Sequence, residues 1–373
     1  MAPLEPWEKV LVNAEAFPQT DHGEIACVDC HGGINSSDEK EEAHTDLVAR
    51  PSGGDAPVCV ECHEEQAISH SDSLHATQEG YWTVLTARGA DPDHPAMQEM
   101  FGNHCASCHT SCGDCHVSQP ASAGGGLLDG HLFTNSPPMT RTCTACHGSR
   151  VGNEFMGKNE GVIADVHFRQ GRMTCIECHD GDELHGEQVN DPEAVPAAHR
   201  YEGIEGPRCE TCHETIGAKS DDVKMHKLHD EILSCQVCHS ETYVNCDSCH
   251  VAVSETSGNP FFTTEDTYFT FLIGRNARRD ADRPYKYVPV RHVPVDPDSF
   301  AYYGENLLPD FDSQPTWRYA TPHNIQLQTP QTENCNNCHG NADMFLTADK
   351  VKPEELEANS TVIIEEIPEA QEE

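Results

Sequence analysis

All twenty cysteines of this chain belong to one five-residue pattern, C-x-x-C-H. The pairs are Cys27/Cys30, Cys59/Cys62, Cys105/Cys108, Cys112/Cys115, Cys143/Cys146, Cys175/Cys178, Cys209/Cys212, Cys235/Cys238, Cys246/Cys249 and Cys335/Cys338. The residues that follow them are His31, His63, His109, His116, His147, His179, His213, His239, His250 and His339. Three chemistries use sulfur at this spacing. A disulfide framework fixes no residue after the second cysteine. A zinc ribbon draws on two C-x-x-C pairs per ion and has no rule there either. Two thioethers to a porphyrin, with the adjacent imidazole on the iron, do require that histidine, and C-x-x-C-H is the attachment signature of haem c. Histidine is 24 of 373 residues, so its presence after all ten pairs selects ten covalent haems c over the other two.

Each haem iron has a second axial position. Histidine there closes the site for electron transfer, methionine raises the potential, and an open position permits chemistry. Fourteen histidines lie outside the ten motifs. That surplus predicts bis-histidine ligation, with His44, His75, His131, His167, His185, His199, His226, His229, His292 and His323 as the second ligands. His22 and His94 are the first substitutes, then His70 and His104. The eight methionines recur in no common context, so methionine ligation is a minor prospect. "CASCHTSCGDCH" sets two motifs seven residues apart, and "CQVCHSETYVNCDSCH" repeats the arrangement with an offset of eleven; both imply close haem neighbours.

The elements that must hold these groups look sparse. The apolar fraction is 36%, cysteines included, and regular hydrophobic periodicity is scarce. The fold class expected is mostly α with extensive loop and little regular β, wrapped around closely packed, buried haems that replace a side-chain core. "HEEQAISHSDSLHATQ" and "DDVKMHKLHDEIL" are the best helix candidates. Expected divisions are residues 1–120 with haems one to four, 121–250 with haems five to nine, 251–351 with haem ten, and an acidic tail at 352–373. "ASAGGGLLDG" reads as a flexible connector between the first two, and the tail as an extended, solvated segment whose "STVIIEEI" is a candidate strand for a partner.

The cysteine-free stretch Val251–Asn334 holds 13 of the 24 aromatic residues and 7 of the 23 basic ones. Arg275, Arg278, Arg279, Arg283, Lys286 and Arg291 reverse the local charge. They suit haem propionates, since guanidinium matches carboxylate geometry; the rival reading is an oxyanion or docking site. The net charge is −40 at pH 7, which disfavours nucleic acid and anionic membrane and favours basic redox partners. No run reaches the ~18 apolar residues of a membrane span. No leader is evident at the start, so an exported protein with a trimmed signal is the expectation.

The run "CASCHTSCGDCHVSQP" with "LLDGHLF" soon after, "CIECHDGDELHG" and "TPHNIQLQTPQTENCNNCHG" resemble segments of multihaem c-type cytochromes of the bis-histidine type. The chain is distantly similar, over roughly residues 20–345, to the superfamily of multihaem nitrite reductase, hydroxylamine oxidoreductase and octahaem tetrathionate reductase. The resemblance implies periplasmic or extracellular electron transfer along a haem chain. The catalytic relatives often carry a lysine motif at the active haem, whereas here all ten motifs end in histidine. An electron carrier without substrate chemistry of its own is the main expectation. The alternatives are a reductase of a small nitrogen or sulfur oxyanion at one open haem, and a self-associating subunit of an extracellular cytochrome filament.

Overall fold

The computed structural model describes residues 4–53, 58–186, 206–216, 222–229, 232–279 and 283–372. The chain forms two compact units. Met1–Trp82, Cys105–Gly148 and Thr174–Gly206 make the first; Thr83–His104, Ser149–Met173 and Pro207–Glu373 make the second. Numbering the motifs in chain order, the first unit carries motifs 1 to 6 and the second motifs 7 to 10. This grouping departs from the expected cuts at 120 and 250. The Gly-rich stretch is one reason, because it is stitched into the first unit rather than linking two. Leu127 donates to the Lys9 carbonyl at 2.7 Å, and Asn13 to the Gly130 carbonyl at 2.7 Å.

Short helices joined by loops dominate both units. In the first, Glu64–Ser71 and Leu74–Thr77 meet at Ser73, whose hydroxyl caps the second helix by accepting from the Ala76 N–H at 3.2 Å. Asp180 caps Gly181–His185 in the same way through the Glu183 N–H, 2.9 Å. Nine of the ten motifs lie on a helical turn, such as Cys27–His31, Cys112–His116 or Cys235–His239. The reason is geometric: residues three apart on a turn share a face, so both thiols point to one side. Motif 9 is the exception. Cys246 closes strand β1 (Tyr243–Asp247), His250 opens β2 (His250–Val253), and Ser248 bends the chain between them at φ 51°.

Among the described residues, the β-strands all lie within residues 243–319 of the second unit. The remaining strands are β3 (Pro260–Thr263), β4 (Asp266–Thr270), β5 (Ile273–Arg275), β6 (Tyr287–His292) and β7 (Trp317–Tyr319). They make antiparallel pairs β1–β4 and β2–β3 and a three-stranded sheet β5–β6–β7. Around that sheet lie two apolar clusters. One gathers Leu272, Val288, Val290, Trp317, Leu346, Val351, Val362 and Ile363; the other gathers Val237, Tyr243, Phe271, Ile273, Phe345 and Ile364.

The tail is therefore not solvated. Val362, Ile363 and Ile364 supply both clusters, and the backbone follows: Arg275 donates to the Val362 carbonyl and Ile364 to the Leu346 carbonyl, each at 2.8 Å. The apolar triplet outweighs the flanking acids, which stay outside. Ile364→Ala is expected to cost about 2–5 kcal/mol, read by denaturant unfolding; a solvated tail would register within about 0.5 kcal/mol. Among the described residues no helix is long and apolar enough to cross a membrane.

Candidate functional site

The two units are filled differently. Among the described residues of the first unit, the buried apolar side chains come to Leu128 and Pro120. Trp7, Val10, Leu11, Leu47, Val48 and Phe133 of the same unit are exposed. Six motifs sit in this unit, and their thiols approach one another. Cys59 hydrogen-bonds Cys112, and Cys143 hydrogen-bonds Cys175. Cys108 is joined to Cys146 and to the Tyr81 hydroxyl. In the second unit Cys209 and Cys235 approach in the same way.

The exposure of the thiols differs from motif to motif. Cys62, Cys178 and Cys212, the second thiols of motifs 2, 6 and 7, are exposed, whereas their partners Cys59, Cys175 and Cys209 are half-buried. Cys27 and Cys335 are exposed too, and Cys108 is half-buried. The reason is local. Cys62, Cys108 and Cys178 each close a single tight turn, donating the backbone N–H to the carbonyl of the first cysteine at 3.2, 3.1 and 3.2 Å. Cys212 likewise ends the one-turn helix Cys209–Cys212. A turn that short has no further residues to cover its last side chain, so cover must come from another segment. For Cys108 that segment brings Cys146 and Tyr81.

The motif histidines stand opposite histidines remote in sequence. In the first unit, the ring of His31 lies 5.9 Å from His131, His63 6.1 Å from His22, His147 6.2 Å from His75, and His116 6.0 Å from His185, centroid to centroid. In the second, His213 lies 6.1 Å from His167, His239 6.2 Å from His226, and His339 6.3 Å from His229. Rings in direct contact stand closer, as His22 does to Phe133 at 4.0 Å. Two imidazoles on opposite sides of one metal have bonds of about 2 Å each and roughly 1.1 Å from nitrogen to ring centre. Their centroids then lie about 6 Å apart, which is the separation found seven times.

The far side of several rings supports the same chemistry. His31 Nδ1 donates to the Val48 carbonyl at 3.0 Å, His116 to Thr134 at 2.7 Å, His239 to Gln326, His250 to Ser248 and His339 to Glu369, each at 3.0 Å. A carbonyl only accepts, so Nδ1 carries the proton and Nε2 keeps its lone pair for a metal. Remote ligands are oriented likewise. His229 Nδ1 meets the Met225 carbonyl at 3.1 Å, and His167 Nδ1 meets Asp165 Oδ1 at 3.0 Å. Burial, reinforced by His147, His70 and His179, pushes the His75 pKa down to about 4. Burial lowers His147 and His131 as well. These imidazoles are neutral at pH 7, the form that binds metal. The donors and the sparse apolar packing of the first unit fit haem c.

Seven expected or substitute second ligands thus face motif histidines: His75, His131, His167, His185, His226, His229 and, from the substitutes, His22. Others go elsewhere. His44 has no ring partner among the described residues, and His22 takes the place opposite His63. His292 is corrected outright. It is 2% exposed, its Nε2 lies 2.9 Å from Glu355 and its Nδ1 2.6 Å from Asp247, so both nitrogens are engaged. His199 lies outside the described residues. His323 donates its backbone N–H to Glu154 at 2.9 Å. His70 stands near His109, His116 and His185, and burial lowers its pKa first of all. His94 Nδ1 accepts from the Ala96 N–H at 3.2 Å, and His104 Nε2 meets the Tyr303 hydroxyl at 2.8 Å. His179 Nδ1 is held by Glu183 at 3.0 Å.

Residues with no sequence signal also matter. The tail carbonyl of Glu369 orients His339. Gly340, at φ 75°, lets that approach happen, since a Cβ there would stand 2.8 Å from Ala370 Cβ. In the arginine stretch Arg278, Arg279 and Lys286 are exposed, and Arg275, Arg283 and Arg291 are half-buried. Arg291 pairs with buried Glu154 and lies over the Tyr243 ring at 4.9 Å. Arg275 donates to the Ser360 carbonyl at 2.7 Å and Arg279 to Pro284 at 2.7 Å. Arg275, Arg279 and Lys286 also line an open depression of about 310 Å³. No disulfide joins any of the twenty cysteines, and no group of three or more His, Cys, Asp or Glu converges on a metal-ion site among the described residues. Comparison with protein-family models, curated proteins and solved structures finds no match.

Proposed function

We propose that this chain transfers electrons through ten covalently bound c-type haems, most or all held by two histidines. The observation that carries the reading is the set of seven imidazole pairs at 5.9–6.3 Å, each joining a motif histidine to one remote in sequence. When bound, haem c supplies an iron that gains and loses one electron. The chain's part is to hold two neutral imidazoles in fixed opposition, so that little ligand rearrangement accompanies the change. The Nδ1 hydrogen bonds to carbonyls fix each ring's tautomer and direction. The thiol contacts between motifs bring attachment points close enough for direct exchange. A charge of −40 lowers potentials by favouring the more positive oxidised state, and it attracts a basic partner through a salt-sensitive encounter. Thioether attachment and this acidity suit a periplasmic or extracellular setting.

The test is a pyridine haemochrome assay with intact mass, followed by spin-state spectroscopy of the oxidised protein. Ten haems per chain with low-spin signals are expected. A colourless or zinc-loaded mature protein would sink the proposal. A high-spin fraction would mark an open iron and turn the reading toward oxyanion reduction.

A further inference from the structure

The sequence places motif 9 between motifs 8 and 10, eleven residues after the start of motif 8. The structure arranges them differently. The helix Lys224–His229 carries both His226 and His229. His226 faces His239 of motif 8 at 6.2 Å, and His229 faces His339 of motif 10 at 6.3 Å. Residues three apart on a helix share a face and are separated by only about 4.5 Å along its axis. One short helix therefore supplies the second ligand to both motifs, and it sets their ligand pairs side by side. The peptide around them is joined as well. Cys338 packs on the cluster that contains Val237, inside motif 8. Thr329 Oγ1 donates to the Cys238 carbonyl at 2.5 Å, and Asn337 Nδ2, inside motif 10, donates to the Pro330 carbonyl at 2.5 Å. On the other side of motif 8, the thiol of Cys235 approaches that of Cys209 in motif 7 within hydrogen-bonding reach.

Motif 9 has other neighbours. Strand β1 runs from Tyr243 to Asp247, and an extended chain rises about 3.3 Å per residue, so the linker, extended rather than coiled into a helical turn, carries motif 9 away. Cys246 lies 3.8 Å from Thr267 Oγ1, and Cys249 is surrounded by Thr264, Arg150 and Asp296. His250 sits on a β-hairpin whose other strand bears Phe261 and Phe262, both exposed.

We propose that motifs 7, 8 and 10 form one line of direct electron exchange, and that motif 9 stands off it as a side branch. This rests on the haem reading above. The step is a single electron leaving the reduced centre at His239 and arriving at the oxidised centre at His339; no bond is made or broken and no proton need move. The arrangement separates through-traffic from the centre at His250, which can hold or deliver charge without interrupting the line.

Iron positions from anomalous diffraction on the haem-loaded, unmodified protein test this. The iron at His239 is expected to lie nearer the iron at His339 than the iron at His250. The reverse order, or the iron at His250 lying between the other two, overturns the inference. A haem count below ten would instead count against the haem reading, so the two failures are distinguishable. A second measurement uses Cys246→Ser with Cys249→Ser. The variant should lose about one tenth of the haem absorbance, one motif of ten. Anomalous diffraction on that variant should find the irons at His239 and His339 at their unmodified separation; a changed separation with the other nine haems present overturns the side-branch assignment.

Discussion

Chain produced in cells that cannot attach haem is expected to leave the first unit unfolded, with protease cutting throughout residues 4–82 and 105–148, while the matured protein resists. Ordering a residue costs about 1–2 kcal/mol of backbone entropy, and a fully buried leucine returns roughly 1.5–3 kcal/mol. With Leu128 and Pro120 the buried apolar side chains among the unit's described residues, side-chain burial falls short by a wide margin. Trp7, Leu11, Val48 and Phe133 are exposed and add little to that burial. The second unit is a contrast inside the same molecule. Its two clusters of Val, Ile, Leu, Phe and Trp give the β region an ordinary core, so it should keep more protection without haem. Limited proteolysis with mass-spectrometric mapping separates the two. A haem-free chain protected equally in both units would contradict the expectation.

His292→Ala is expected to destabilise the second unit by about 3–5 kcal/mol while leaving the number of low-spin haems unchanged. Glu355 is 2% exposed and keeps its charge through His292 at 2.9 Å and the Thr316 hydroxyl at 2.5 Å. Removing the imidazole strands that carboxylate in the interior. Had His292 been an iron ligand, the same substitution would convert one haem to high spin. The pH dependence is a second signature. For His292, burial opposes the charged ring, but the hydrogen bond and charge of Glu355 and the charge of Asp247 outweigh it, and the pKa is raised. Its stabilisation is full below the ordinary imidazole value of about 6.5 and is lost as pH rises through the folded value. For Glu355, burial acts to raise the pKa, yet the bonds from His292 and Thr316 prevail and lower it. That stabilisation is full above the ordinary value of about 4.3 and is lost as pH falls through the folded one. Together the two groups give greatest stability between those ordinary values. Denaturant midpoints across pH should fall on both sides for the wild type, and His292→Ala should remove the alkaline limb.

The ten C-x-x-C-H motifs were legible in the residues themselves, because their two thiols and imidazole are neighbours in the chain. Two thiols and an imidazole within five residues need only one turn of backbone to face one ring. Local capping, such as Ser73 and Asp180 at helix starts, was similarly within reach of a sequence reading, and so was a helix bearing His226 and His229. How far each attachment point is enclosed was not legible. Cys62, Cys108, Cys178 and Cys212 hold the same motif position, yet three are exposed and Cys108 is half-buried, because cover comes from segments distant in the chain. The ring partners of the motif histidines were hidden for the same reason, since most of them meet their motifs across long loops. His131 reaches His31, and His22 rather than His44 reaches His63, on grounds that only packing supplies. A histidine in sequence isolation carries no mark of whether metal or carboxylate awaits it. His292 looked like the others until two acids closed on its nitrogens. The acidic tail looked solvated because charge is counted per residue, whereas Val362, Ile363 and Ile364 act through burial that depends on a sheet assembled elsewhere. Chain chemistry alone thus determined what each motif can bind; tertiary packing decided which imidazole opposes which and which motifs are neighbours, since those contacts join residues that no local spacing relates.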